Sequence, residues 1–335
     1  MVAPSVAAAT ALQDDIRRLA KSRNAVILAH NYERPEVQDA ADYVGDSLGL
    51  SREAARTGAD VIVFCGVHFM AETAAILSPS KTVLLPDLAA GCSLAATIDA
   101  AQLRKWKAEH PGATVVAYVN TTAEVKAESD YCCTSGNAVD VINAIPGDQE
   151  ILFLPDMFLG AHVRRVTGRK NIHVWMGECH VHAGIDPENI RLQRSLHPGA
   201  EFLIHPECGC ATSVVEAVSA GDVDPNGVHI LSTEGMMQRP GTSGANEFIV
   251  ATEVGILHRL QRNYPGKTFY AANERASCAY MKVTTLPKVA EALEHLRHRI
   301  TVPDDVAARA RRAIERMVAI GGGSTPPAPG VDPGE

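Results

Sequence analysis

Residues 25 to 47 read AVILAHNYERPEVQDAADYVGDS, and their plan is written three times along the chain. An apolar run, Val26-Ile27-Leu28, stops at the polar residues His30, Asn31 and Tyr32, and a hydroxyl, Ser47, follows seventeen positions after His30. The second copy starts at Thr114-Val115-Val116-Ala117-Tyr118-Val119-Asn120, with Ser135 seventeen positions after Tyr118. The third starts at Glu201-Phe202-Leu203-Ile204-His205-Pro206-Glu207, with Ser232 and Thr233 after a spacing about ten residues longer. Starts near 26, 114 and 201 give a period of roughly 88 residues, and a period of that kind outranks any reading of single elements.

Each copy continues in the same order. Further strands are expected at 60–64 and 81–85 in the first, 150–154 and 171–175 in the second, and 228–231, 247–251 and 267–270 in the third. A cysteine then follows in a Gly/Ala-rich loop: Cys92 in AGCSL, Cys179 in GECHVH and Cys278 in ASCAY. From first polar mark to cysteine is 62, 61 and 73 residues, the excess in the third matching its longer loop. Apolar strands separated by helical segments imply α/β units with parallel sheets covered on both faces. The expected architecture is therefore three similar three-layer αβα domains around an internal pseudo-threefold axis. They span residues 22–108, 109–190 and 191–285, with an N-terminal extension and helix at 1–21. Two closing helices occupy 286–320, and a Gly/Pro-rich tail expected to be disordered runs from 321 to 335.

A net charge of −8 offers no basic face for nucleic acid, and no apolar run is long enough to span a membrane. The Ala-rich start lacks a basic n-region, so no signal peptide is expected and the protein reads as cytoplasmic. Eight cysteines in such a chain are metal ligands or buried thiols rather than disulfides.

The carboxyl ends of parallel strands are where α/β proteins bind ligands. His30, Tyr32, Tyr118, Asn120, His205 and Glu207 sit at those ends, and the repeat brings them to one centre. Ser47, Ser135, Ser232 and Thr233 lie at loop-to-helix junctions. A hydroxyl there is ordinarily an N-cap, but the same junction binds anions, and several facing one cavity suit a substrate with more than one carboxylate or phosphate. Three thiols from three domains make an incomplete structural zinc site. They fit a [4Fe-4S] cluster with three thiolate ligands and one open iron, although the clustered ferredoxin spacing is absent. Cys65 reads as a core thiol, Cys132 and Cys133 are adjacent, and Cys208 and Cys210 in HPECGC compete for ligand status.

AHNY, GDSLGLS, YVNTTAEVKAESD, CTSGN, PDMFLG, HPEC and ANERASCAYMK together resemble the quinolinate synthase family over roughly residues 25 to 285. The resemblance implies an enzyme of NAD biosynthesis that condenses iminoaspartate with dihydroxyacetone phosphate into quinolinate, phosphate and water, and a functional link to L-aspartate oxidase. It implies Cys92, Cys179 and Cys278 as cluster ligands. It also implies a substrate site of His30, Tyr32, Ser47, Tyr118, Asn120, Ser135, His205, Glu207, Ser232 and Thr233. Glu207 and His205 are the expected acid/base pair, with Tyr32 as a proton donor.

Two other readings remain. His205-Pro206-Glu207 near Cys208 and Cys210, together with Cys179-His180-Val181-His182, suggests a zinc hydrolase or deaminase, although the P-C-x-x-C that a deaminase needs is missing. A non-catalytic iron-sulfur sensor is the other, and it does not call for so many polar groups at one centre.

Overall fold

A computed structural model describes residues 6–211, 214–215 and 227–321. The first five residues and the tail beyond 321 lie outside it. Twelve strands form three separate parallel sheets among the described residues. The first holds β1 (Ala25–His30), β2 (Tyr43–Gly45), β3 (Val61–Cys65) and β4 (Thr82–Leu84). The second holds β5 (Thr114–Tyr118), β6 (Tyr131–Cys133), β7 (Ile151–Leu154) and β8 (Ile172–Val174). The third holds β9 (Glu201–Ile204), β10 (Val228–Ile230), β11 (Glu247–Ala251) and β12 (Thr268–Ala271). Their orders are β2-β1-β3-β4, β6-β5-β7-β8 and β10-β9-β11-β12, one order used three times.

The short strands β2 and β6 were not expected from sequence. YVG and YCC are three residues each, too short for an alternation to show. They are the counterparts of β10, and each precedes one of the candidate hydroxyls.

The inner strands are continuous apolar runs because both of their faces are covered. Along β3, Ile62 and Phe64 face one core while Val61, Val63 and Cys65 face another. Along β11, Phe248 and Val250 face the first of these cores, and Ile249 and Ala251 face a third. The period-2 alternation of a strand thus divides each run between two cores. The core holding Leu28, Phe64, Val115, Phe153, Leu203 and Phe248 is common to all three sheets. Full burial of one such phenylalanine contributes roughly 1.5–3 kcal/mol, so this shared interior locks the units together.

The chain ends close the assembly. The helix Val6–Ser22 starts earlier than its amphipathic stretch, in Ala-rich sequence that favours helix. It buries Ile16 and Ala20 in the core that also takes Leu286, Val289 and Leu293 of the helix Leu286–His295. The helix Asp304–Ala319 buries Ala310, Ala313, Ile314 and Met317 against the helix Ala123–Ala127 and β6. No helix among the described residues is long and apolar enough to cross a membrane.

The last turn of that closing helix is held by two other units. A helix leaves its final carbonyls unpaired, and here Asn137 Nδ2 donates to Met317 O at 2.9 Å and Ile320 O at 2.8 Å. Arg52 Nη2 donates to Val318 O at 3.0 Å and Gly321 O at 2.5 Å. The other end of the Asn137 amide, Oδ1, accepts from Thr134 N at 2.8 Å, which fixes the turn carrying Ser135. Asn137→Ala is expected to lower unfolding stability by roughly 1–3 kcal/mol and to weaken ligand binding at Ser135 in parallel. Denaturant melts and ligand titration check this, and a variant matching the parent in both would remove Asn137 from the clamp.

Candidate active site

Strand register shows why the repeat places its polar residues together. Ala29 pairs with Cys65, Ala117 with Leu154 and Ile204 with Ala251, so His30, Tyr118 and His205 are equivalent. Tyr32, Asn120 and Glu207, two residues on, are equivalent in turn. On the other side Ala29 pairs with Val44, Ala117 with Cys132 and Ile204 with Ile230. Three residues further come Ser47, Ser135 and Thr233. The cysteines follow the fourth strand of each sheet. Cys92, Cys179 and Cys278 lie eight, six and eight residues past Leu84, His173 and Tyr270, which hold one register position across the three sheets.

All of these side chains line one cavity between the sheets' carboxyl ends. Ser232 is the exception. It lies one residue before the in-register position and lines adjoining surface pockets, and its hydroxyl accepts from Gly235 N at 3.2 Å as a helix N-cap. Asp46 is its counterpart in the first unit, accepting from Gly49 N at 2.8 Å. Ser47 and Thr233 are thereby freed from capping and stand at the first position of their helices.

The histidines at the strand ends repeat one device. Tyr32 N donates to His30 Nδ1 at 3.2 Å, and Glu207 N donates to His205 Nδ1 at 3.4 Å. With Nδ1 accepting, the neutral ring carries its proton on Nε2. His205 Nε2 meets Ser135 Oγ at 3.1 Å. Burial is the main reason both imidazoles are pulled down to about 3, so both act as neutral donors near pH 7.

Glu207 is the electrostatic centre. Burial opposes its ionisation, but His182 first and then the Tyr118 hydroxyl hold it well below the usual carboxylate range. Tyr118 OH donates to its Oε1, and His182 Nδ1 lies 3.3 Å from its Oε2. His205 Nδ1 is more distant, at 3.8 Å from Oε1. From His182 a chain of contacts continues: Nε2 to Thr252 Oγ1 at 2.8 Å, then Thr252 Oγ1 to the Tyr32 hydroxyl at 2.5 Å. The Tyr32 hydroxyl also meets Thr233 Oγ1 at 3.0 Å. Burial pushes the Tyr32 phenol up to about 12, so it stays protonated.

The three cysteine loops are tied to one another. Ser93 Oγ meets His180 Nδ1 at 2.6 Å, and the His180 ring lies edge-on to Tyr280 at 6.2 Å. Cys278 N donates to Glu253 Oε1 at 2.9 Å, and that carboxylate also takes Gly255 N at 2.6 Å and Lys282 Nζ at 3.0 Å. Cys208 and Cys210 are fully buried, disulfide-bonded to each other and absent from the cavity wall. This pairing departs from the expectation of free thiols. Cys65, Cys132 and Cys133 are buried.

Thr252, Glu253 and Asp46 were not singled out in the sequence, and His182 entered only as a candidate ligand of the zinc reading. Thr252 and Glu253 carried a usable signal, since they are the first polar residues beyond the carboxyl end of β11. His182 lies one helical turn from Cys179 and has no counterpart in the other copies.

The family model described as Quinolinate synthetase A protein matches residues 14–319. The quinolinate synthases of Mycobacterium sp. (strain KMS) and Mycobacterium tuberculosis (strain H37Rv) are each 58% identical over 307 residues. That is 92% of this chain, and 91% and 88% of theirs. The quinolinate synthase of Thermus thermophilus is 58% identical over 311 residues, 93% of this chain and 98% of its own.

At the cavity edge, burial pushes the Asp46 carboxyl up from 3.8 to about 6, aided by Glu234 and opposed by the Gly49 N–H. A carboxyl whose pKa is higher folded than unfolded loses stability for the protein as pH rises through that window. Asp46→Asn keeps a good N-cap and is expected to gain ~2 kcal/mol relative to the parent between those two pH values. Denaturant melts across the range test this. A relative stability that is flat or falls with pH contradicts it.

Proposed function

The chain belongs to the quinolinate synthetase A protein family, and we propose that its cavity condenses iminoaspartate with dihydroxyacetone phosphate to give quinolinate, phosphate and water. One observation carries the reading: register-equivalent loops of three sheets bring three cysteines and three hydroxyls to the same cavity as Glu207. We place this activity in the cytoplasm, next to an L-aspartate oxidase that would supply the imine.

The donor set fits a [4Fe-4S] cluster. Burial, with Cys179 and Cys278 adding repulsion, pushes the Cys92 thiol up to about 12, so a thiolate at Cys92 needs a cationic group beside it. Cys92, Cys179 and Cys278 would hold that cluster, which when bound supplies a Lewis-acidic iron toward a substrate oxygen.

The remaining roles fall to side chains. Ser47 and Thr233 at helix starts would hold carboxylate or phosphate oxygens, helped by free backbone N–H groups. His30 would donate to a further substrate oxygen through Nε2–H. Asn120 Oδ1 has no protein partner and would accept from the substrate nitrogen. Glu207 would take a proton from carbon, with Tyr118 donating to the same carboxylate and steadying its charge. Tyr32 would give a proton to a leaving oxygen and recover it along Thr252 and His182, which return the path to Glu207. In a closed, preorganised cavity each of these contacts is stronger than in water.

A zinc hydrolase is the second reading, favoured by one feature. Ligand atoms of Cys179, His182 and Glu207 lie within 4.8 Å of one another. Metal analysis separates the two, since iron with sulfide supports the cluster and zinc alone supports the hydrolase.

Turnover of both substrates under anaerobic conditions tests the function. Glu207→Gln is expected to bind substrate but lose on the order of 10²-fold or more in kcat. Thr252→Val, which cuts the path between Tyr32 and His182, is expected to lose kcat with cluster absorbance unchanged. Absence of quinolinate from the cluster-loaded parent would overturn the reaction, and full activity in both variants would overturn the residue roles.

A further inference from the structure

The second sheet carries a separate group of potential metal donors at its amino-terminal edge, the end opposite the cavity. His110 ends the helix Ala100–Glu109, Glu150 immediately precedes β7, and His173 lies in β8. Their side chains converge on one carboxylate oxygen. His110 Nδ1 is 2.8 Å and His173 Nε2 2.7 Å from Glu150 Oε1. The two rings are 4.3 Å apart, and the three ligand atoms all lie within 4.8 Å of one another.

The frame behind these groups is rigid. Glu150 O accepts from Thr114 N at 2.8 Å, and Ile151 N donates to Asn171 O at 2.9 Å. These bonds set Glu150 between β5 and β8. Trp106 packs edge-on to His110 at 6.3 Å and against Trp175 at 5.5 Å. Sites built on helix ends and strands hold their geometry better than sites on loops.

We propose that His110, Glu150 and His173 bind one divalent transition-metal ion of the zinc, nickel or cobalt class, with water completing its coordination. Two imidazoles and one carboxylate suit these borderline ions, whereas magnesium and calcium prefer all-oxygen shells. Donors about 2.0–2.1 Å from a tetrahedral ion stand roughly 3.3 Å apart, so each nitrogen needs to move from the carboxylate by only ~0.5 Å. All three side chains are partly open to solvent, between 24% and 45% exposed, which gives the ion a path in. The bound ion joins the helix end to two strands, so it stabilises the second unit. This site does not depend on the reaction assigned to the cavity.

Both tryptophans of the chain, Trp106 and Trp175, form one packed group beside the site and report on it. The experiment is a titration of the untagged, cluster-loaded protein with nickel under anaerobic conditions, reading tryptophan quenching, nickel retained after gel filtration and melting temperature. The parent is expected to retain one equivalent, quench, and melt at a higher temperature with nickel present. His173→Ala and Glu150→Gln are each expected to weaken binding by on the order of 10-fold or more, with cluster absorbance unchanged. No retained nickel would show an ordinary histidine–carboxylate contact and overturn the proposal. Retention that both variants leave unaltered would place the metal elsewhere and overturn it equally.

Discussion

Parallel pairing in fixed register is the constraint on which the rest of this structure depends. In a parallel sheet all carboxyl ends lie on one edge, and a one-residue slip moves every side chain to the other face. Three sheets with one strand order repeat that constraint, and the core shared by Leu28, Val115 and Leu203 holds their active edges toward one another. His30, Tyr118 and His205 meet because Ala29, Ala117 and Ile204 occupy the same rung. The site is thus a consequence of the packing, and no single loop builds it.

Placing so many polar groups in a buried space carries a large desolvation cost unless each is paired. The cavity offsets much of that cost through linked contacts. Glu207 is held ionised by His182 and Tyr118, Tyr32 is shared between Thr233 and Thr252, and Glu253 anchors the Cys278 loop. Asn120 Oδ1 is left without a protein partner, and so a ligand group is the natural complement there. The copies have also diverged chemically. The same rung offers imidazole in two units and a phenol in the second, so a symmetric scaffold yields an asymmetric site.

Much of this was legible in the sequence because repeats convert weak local signals into a register. The long inner strands, the polar strand ends and the three cysteines share fixed spacings. Ser232 and Thr233 could not be separated by spacing, because the longer third loop hides the register that strand pairing reveals. The edge strands β2 and β6 were invisible, since three residues carry no period. Thr252 was missed, and His182 was read only as a possible zinc ligand, for a different reason: their importance lies in contacts 25 and 70 residues distant in sequence, which no local pattern encodes. The Asn137 amide, gripping a helix end 180 residues away, is of the same kind.

The cluster we propose would be held by Cys92, Cys179 and Cys278, leaving one iron open to substrate. The most direct measurement is the Mössbauer spectrum of isotopically enriched protein with and without quinolinate or a dicarboxylate analogue. The account predicts altered parameters at one iron of four, with the other three unchanged. An unaltered spectrum, with the ligand shown by an independent assay to be bound, would contradict it.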